Sequence, residues 1–242
     1  YLDSRHLYLN HMDPLESVVT IFNRQICNLT EGNENALGGI VCVWNDRAVA
    51  NGDDVMTMNP VYPGMLAFAE RSWRGGGYAG WTATIGEPET ERATAFAEFE
   101  NRLLDQKQQY FKGLDFPYVK QADLVWDIYG PYENKGNLSK VFAPESIKFN
   151  ALKEKPKYKA TGGTLVMKHW WAPLISGVVE QPQENTTWYA QTQIWSDEDK
   201  QREFWIGFNN VSRSMSTDSP NAGTWNNLKS QVWVNNELVS PP

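Results

Sequence analysis

The sequence has no long apolar run, few cysteines and no excess of basic residues. A membrane-spanning helix needs about 20 consecutive, mostly apolar residues, and no such stretch occurs in the 242 residues. The formal net charge of -7 argues against nucleic acid and anionic membranes as partners, because both require a basic surface. We therefore expect no membrane span and no nucleic-acid partner, and a neutral ligand fits this charge better.

Residues that usually bind metals are also scarce. The two cysteines, Cys27 and Cys42, cannot make a disulfide framework, and they lack the short spacing of a metal-binding pair. His6 and His11 lie five residues apart without a third ligand, which is a poor metal site. We predict free, buried cysteines, no metal and no cofactor.

Aromatic residues are plentiful. The chain contains 11 Trp, 10 Tyr and 10 Phe. Such rings can stack on the apolar faces of sugars while their polar atoms form hydrogen bonds, and they can equally fill the core of a β-sandwich. Composition alone leaves both interpretations open.

The first half of the chain alternates between helix-like and strand-like segments. Asp13 is a good N-cap and Pro14 suits a first helical position, so a helix is predicted to begin there. Residues 40–43 form a short apolar run typical of a strand buried on both faces of a parallel sheet. A helix is predicted over 65–73, and the glycines at 75–77 end it. This alternation favours βα units.

The second half is different. Residues 88–111 have the apolar stripe of one long amphipathic helix. Beyond residue 113, turn signals separate short strand-like runs, which favours an antiparallel β-sandwich. These runs cover 124–129, 164–167, 187–195, 203–208 and 231–234. We therefore expect α/β followed by all-β, with domains at 1–112 and 113–242.

Three motifs carry a resemblance to a known family. They are Tyr1-Leu2-Asp3, the stretch LGGIVCVWND at 37–46, and YPGMLAFAERSW at 62–73. In this order they resemble the last part of the family 20 glycoside hydrolases, the β-N-acetylhexosaminidases. The resemblance implies the last two βα units of a TIM barrel. Segments 126–132 and 230–237 look like parts of galactose-binding-like jelly-roll modules.

The resemblance also implies site residues. Tyr1 would hydrogen-bond the acetamido carbonyl oxygen of the substrate and so orient the nucleophile, and Asp3 would accept hydrogen bonds from sugar hydroxyls. Trp44 would form a wall of the sugar pocket. Asp46 stands where the family commonly has Glu, so its carboxylate reaches one methylene less far.

The family mechanism needs an acid/base pair that the chain does not offer in the right setting. In that retaining, substrate-assisted reaction the acetamido oxygen attacks the anomeric carbon, a Glu protonates the leaving oxygen, and the preceding Asp orients the acetamide. Asp197-Glu198 is the only Asp-Glu dipeptide, and it lies in a polar turn. We expect the catalytic pair upstream in a longer polypeptide, and this chain alone to be inactive.

The resemblance implies partners and a location as well. The expected ligands are glycans ending in N-acetylglucosamine or N-acetylgalactosamine, and the expected protein is a bacterial enzyme in the periplasm or at the cell surface. Two barrel strands cannot close an eight-stranded sheet, so self-association through exposed barrel edges is one way to cover them.

Two alternatives remain at this point. The sandwich can be the working part of a non-catalytic carbohydrate-binding protein, with Trp170 or Trp171 as a stacking platform. It can also be a structural brace, in which case these tryptophans belong to the core. His169 beside them is expected to be structural.

Overall fold

The chain divides into two compact units. The computed structural model describes residues 1–5, 7–9, 14–43, 61–113, 116, 118–147, 151–169, 171–204, 206–208 and 230–239, with only the backbone for 14–17. The first unit comprises Tyr1–Val125 and Ala160–Glu180, and the second comprises Trp126–Lys159 and Gln181–Pro242. Residues 160–180 thus belong with the α/β half, although the sequence places them inside the predicted 113–242 domain.

Helices form most of the first unit, and strands form most of the second. The helices are α1 (Pro14–Asn23), α2 (Val61–Arg74), α3 (Glu91–Tyr110) and α4 (Ala143–Ser146), with a 3-10 helix at Ile26–Asn28. The strands are β1 (Leu2–Asp3), β2 (Gly38–Gly39), β3 (Val125–Glu133), β4 (Tyr158–Thr161), β5 (Thr186–Thr192), β6 (Val232–Val234) and β7 (Glu237–Val239).

The three predicted long helices are confirmed. Helix α1 begins at Pro14, and α3 begins after Thr90, whose Oγ1 accepts a hydrogen bond from the N–H of Ala93 at 3.3 Å. Helix α2 ends before glycines with φ of +66°, +70° and +92°, a conformation that side chains disfavour. A Cβ at Gly77 would lie 2.7 Å from the carbonyl oxygen of Arg24, so this position also needs the small residue.

The apolar faces of these helices make one core. Phe22 of α1 stacks on Phe99 of α3 with ring centroids 4.7 Å apart, and it meets Phe96 edge-on at 5.5 Å. Burying such side chains contributes roughly 2 kcal/mol each. The core comprises Leu7, Leu9, Val18, Val19, Ile21, Phe22, Val61, Ala67, Ile85, Ala93, Phe96, Phe99, Leu103 and Phe116.

Some strand predictions are confirmed and others are wrong. Strands β3, β5 and β6 lie where the sequence predicts them, and β3 and β5 pair antiparallel in a sheet of order β4-β3-β5. Residues 164–167 are not a strand, because the N–H of Met167 turns back to the carbonyl oxygen of Leu165 at 2.9 Å. The described residues of 203–208 are not a strand either, and β4 was not predicted.

Two predictions about burial are also wrong. Cys27 and Cys42 are free, as predicted, but they are half-buried. In the run 40–43, Ile40 is 48% and Val43 39% exposed, because one face of this strand lacks a covering layer among the described residues. No helix in the described part of the chain is both long and apolar enough to cross a membrane.

A buried carboxylate fastens helix α3 to the segment that follows it. Glu100 is fully buried, and its Oε1 accepts hydrogen bonds from the Tyr118 hydroxyl and the Gln121 N–H, both at 2.7 Å. Its Oε2 accepts from the N–H of Ala122 at 2.9 Å. Charged hydrogen bonds of this kind are the strong class, so this contact holds residues 118–122 against α3.

We predict that Glu100→Gln lowers the free energy of unfolding by about 3 kcal/mol, because the amide has one acceptor oxygen for three donors and leaves at least one donor buried without a partner. Denaturant unfolding at neutral pH measures this loss. Glu98→Gln, on the exposed side of the same helix, is the matched control and should change the free energy by less than about 0.5 kcal/mol. Equal effects of the two changes would contradict the role of Glu100.

Candidate functional site

The two motif-bearing strands are neighbours. Strands β1 and β2 pair in parallel, with Leu2 opposite Gly38 and Asp3 opposite Gly39. The pairing extends beyond them, since the N–H of Cys42 donates to the carbonyl oxygen of Leu7 at 2.9 Å. Helix α1 lies between the two strands in sequence, so residues 1–42 contain a parallel βαβ unit.

The two faces of this strand pair differ. An ideal Cβ on Gly39 would lie 2.8 Å from Leu7 and 3.0 Å from Phe68 of α2, so this face packs under the helices. A Cβ on Gly38 would meet nothing within 4 Å. Leu2, directly opposite Gly38, is 50% exposed. We call these the helix-covered face and the open face.

Asp3 lies on the helix-covered face, in a network of hydrogen bonds. Its Oδ2 accepts from Nη2 of Arg24 at 2.6 Å and from the N–H of Cys27 at 2.8 Å. Its Oδ1 accepts from the N–H of Arg5 at 2.9 Å. The side chains of Arg24 and Asp3 are 3% and 8% exposed, so this is a buried ion pair.

The network sets the ionisation of Asp3. Burial alone raises the pKa of this carboxyl, but the hydrogen bonds from the N–H groups of Arg5 and Cys27 and the charge of Arg24 outweigh it. The net result is a pKa below the ordinary value. Asp3 is therefore an anion at neutral pH, and one acceptor position on Oδ1 remains beyond these three bonds.

Arg24 and Cys27 are residues that the sequence analysis did not single out. Cys27 has φ of +58°, which turns its N–H toward Asp3. Nη1 of Arg24 donates to Oδ1 of Asn28 at 2.9 Å and to the carbonyl oxygen of Gly80 at 3.3 Å. A basic residue just after a helix is common, so the sequence carries no signal of this pairing.

The other predicted site residues lie apart from this network or outside the description. Tyr1 is 68% exposed, and its carbonyl oxygen accepts from the N–H of Leu37 at 3.1 Å. Trp44 and Asp46 lie outside the described residues. Trp44 comes five residues after Gly39, the partner of Asp3, which is roughly 16 Å of extended strand. The structure thus brings Tyr1 and Asp3 onto one strand and does not describe the other two.

The third motif of the resemblance forms a structural clamp. Glu70 of α2 pairs with Arg74 at 3.1 Å and with Arg102 of α3. Arg71 donates from Nε to the carbonyl oxygen of Phe22 at 2.6 Å, and its guanidinium lies 4.7 Å from the Phe22 ring centroid. The Glu-Arg pair of this motif therefore fastens α2 to both neighbouring helices.

Two further sequence features have structural surroundings. Asp197 and Glu198 are exposed, and Glu198 pairs with Lys200, so this dipeptide lies in a solvated turn. His169 is 1% exposed, and Trp81 meets it edge-on with centroids 4.9 Å apart. Trp81 also meets Trp171 edge-on at 5.3 Å, and all three rings belong to the first unit. Among the described residues, no group of three or more side chains is placed to hold a metal ion.

We predict that Asp3→Asn lowers the free energy of unfolding at pH 7 by about 3 kcal/mol, because it leaves the buried Arg24 charge without its partner. The folded-state pKa of Asp3 is depressed, so its stabilisation is complete above the unfolded-state pKa of about 3.9 and is lost as the pH falls through the folded-state value. Unfolding curves of both proteins between pH 7 and pH 2 should converge toward the acid end. Asp105→Asn, on the exposed side of α3, is the control, and a gap that stays constant with pH would rule out the ion pair as its cause.

Comparisons of the chain with protein-family models, with curated proteins and with solved structures found no match in any of the three. Assignment to a family therefore depends on the three sequence motifs and on the geometry of the βαβ unit.

Proposed function

We propose that this chain is the carboxyl-terminal part of an exo-acting β-N-acetylhexosaminidase that removes terminal N-acetylhexosamine residues from glycans. The observation that carries the proposal is the parallel pairing of β1 with β2 through α1. The resemblance requires its first two motifs to occupy neighbouring parallel strands, and nothing in the local sequence forces residues 1–3 to pair with 38–39.

The third motif supports the same reading. Helix α2 follows the second strand and packs on the helix-covered face through Phe68, as a helix after a barrel strand would. The Glu70 and Arg71 contacts then join it to α3 and α1. Three motifs in the expected order thus occupy strand, strand and helix.

The proposed reaction is substrate-assisted hydrolysis with retention of configuration. The acetamido oxygen of the substrate is the nucleophile, and Tyr1 would hold it in position, which is a proximity effect. Asp3 and Asp46 would accept from sugar hydroxyls, and Trp44 would line the pocket. The acid/base Asp-Glu pair would come from a part of the polypeptide outside this sequence, because Asp197-Glu198 lies in a solvated turn.

The register sets a condition on this site. In parallel α/β proteins, substrates bind beyond the carboxyl ends of the strands. Trp44 and Asp46 follow the last described residue of the second strand, Val43, whereas Asp3 pairs with the beginning of that strand. One sugar can meet all four residues only if the chain after Val43 turns back toward β1.

The open face supports the view that the strand pair belongs to a larger sheet. Parallel sheets normally have both faces covered, whereas Leu2 and Ile40 are 50% and 48% exposed. Either further barrel strands or self-association would cover them. The glycan ligands and the extracytoplasmic location follow from the family resemblance and are part of this proposal.

We predict that the protein isolated from its source, with native termini, has a mass well above 27.6 kDa and hydrolyses para-nitrophenyl N-acetyl-β-D-glucosaminide. The 242-residue chain alone should be inactive, because it lacks the acid/base pair. In the native protein, Asp46→Asn should lower kcat/KM by about 10- to 100-fold, the loss expected when a charged hydrogen bond to substrate is removed.

Asp105→Asn serves as the control for that variant and should leave kcat/KM unchanged. Intact-mass spectrometry and a release assay for para-nitrophenol give both readouts. A native polypeptide that begins at Tyr1 and shows no hydrolysis would refute the proposal.

A further inference from the structure

The second unit contains a β-bulge with a tryptophan opposite it. Strands β3 and β5 pair regularly from Trp126–Thr192 to Tyr129–Tyr189, and the register then shifts before Tyr132 pairs with Thr187. Gly130 and Pro131 on β3 therefore oppose a single residue on β5, Trp188. A bulge of this kind redirects the side chains beside it.

The indole of Trp188 lies against the backbone of Gly130. A Cβ on Gly130 would be 2.9 Å from Cε3 and 3.0 Å from Cδ2 of that ring, so any larger residue would displace it. Gly130 also has φ of +129°, which other residues rarely adopt. The glycine thus creates the space in which a large flat ring can lie along the sheet.

A second ring reaches the same place from the other side of β3. In the sheet order β4-β3-β5, Tyr158 of β4 and Trp188 of β5 lie on the two strands that flank Gly130. Their ring centroids are 5.9 Å apart and their planes differ by 29°. Both rings are half-buried. Together they form a shallow aromatic surface, which we call the Tyr158–Trp188 platform.

The register separates this platform from the charged side of the sheet. Residues directly opposite each other share a face, so Asp127 and Tyr129 lie on one face and Ile128 on the other. Lys159 pairs with Asp127 and so belongs to the first face. Trp188 is two residues from Ala190, the partner of Ile128, and therefore shares the second face.

The two faces are covered differently. On the charged face, Tyr129 is 7% exposed and the Tyr189 hydroxyl donates to Glu145 of α4, so the chain covers this face itself. On the platform face, Ala190 is exposed and Thr192 half-exposed, and Ile128 lies fully buried beneath the rings.

We propose that the Tyr158–Trp188 platform is a binding site for a neutral, β-linked glycan. The face of an aromatic ring is electron-rich and attracts polarised C–H groups, which line the flat faces of a pyranose whose hydroxyls are equatorial. The described positions of this face carry no charged side chain, which suits a neutral ligand better than an ionic one. The proposal does not depend on hydrolase activity.

Titration calorimetry of the 242-residue chain with chitotriose, cellotriose and N-acetyllactosamine tests the site. We expect saturable binding of at least one of them. Trp188→Ala and Tyr158→Ala should each weaken it on the order of tenfold, the loss of about one ring–sugar contact. Tyr158→Phe keeps the ring and should bind within about twofold of the parent chain.

Two more variants keep the test decisive. Gly130→Ala retains both rings but displaces the indole, so it should weaken binding as Trp188→Ala does; circular dichroism establishes that each variant is folded. Trp195, 90% exposed and outside β5, is the matched control, and Trp195→Ala should bind normally. Absence of saturable binding, or binding that Trp195→Ala abolishes while Tyr158→Ala and Trp188→Ala leave it intact, would overturn the proposal.

Discussion

The carboxylate of Asp3 is the contact on which the first unit depends. It joins the first strand to Arg24 and Cys27, which lie in the connection from α1 to β2. Without it, the backbone at Cys27 would have no partner for its N–H at this point, and Arg24 would be a buried charge. The βαβ unit is therefore closed by an ion pair as well as by strand hydrogen bonds.

The same carboxylate has two possible roles that make different demands on it. A residue that binds sugar must present a free oxygen to the ligand, whereas a structural anchor must use its oxygens within the protein. Asp3 gives three hydrogen bonds' worth of acceptor capacity to the fold and keeps one position on Oδ1. Its structural role is visible directly, and its proposed contact with substrate must use the remaining position.

The sequence predicted what local rules control. Pro14 and Thr90 mark helix starts, and the glycines after Arg74 mark a helix end, because capping and backbone preferences act within a few residues. Long-range pairings were not predictable in this way. The contact of Arg24 with Asp3 spans 21 residues, and that of Tyr118 with Glu100 spans 18, and no periodicity records either one. The platform was missed for the same reason, since it depends on register between β3, β4 and β5.

The open face of the β1–β2 pair limits what this chain can be. A parallel pair with one face under helices and the other carrying exposed Leu2 and Ile40 buries only half of the apolar surface that such strands usually bury. Exposing a 50% and a 48% accessible aliphatic side chain side by side is unfavourable in water, because each would gain roughly 1 kcal/mol from cover. A further layer on this face is therefore favoured physically, whatever chemistry the site performs. The proposal of a larger barrel meets that requirement with strands, and self-association meets it with a second copy.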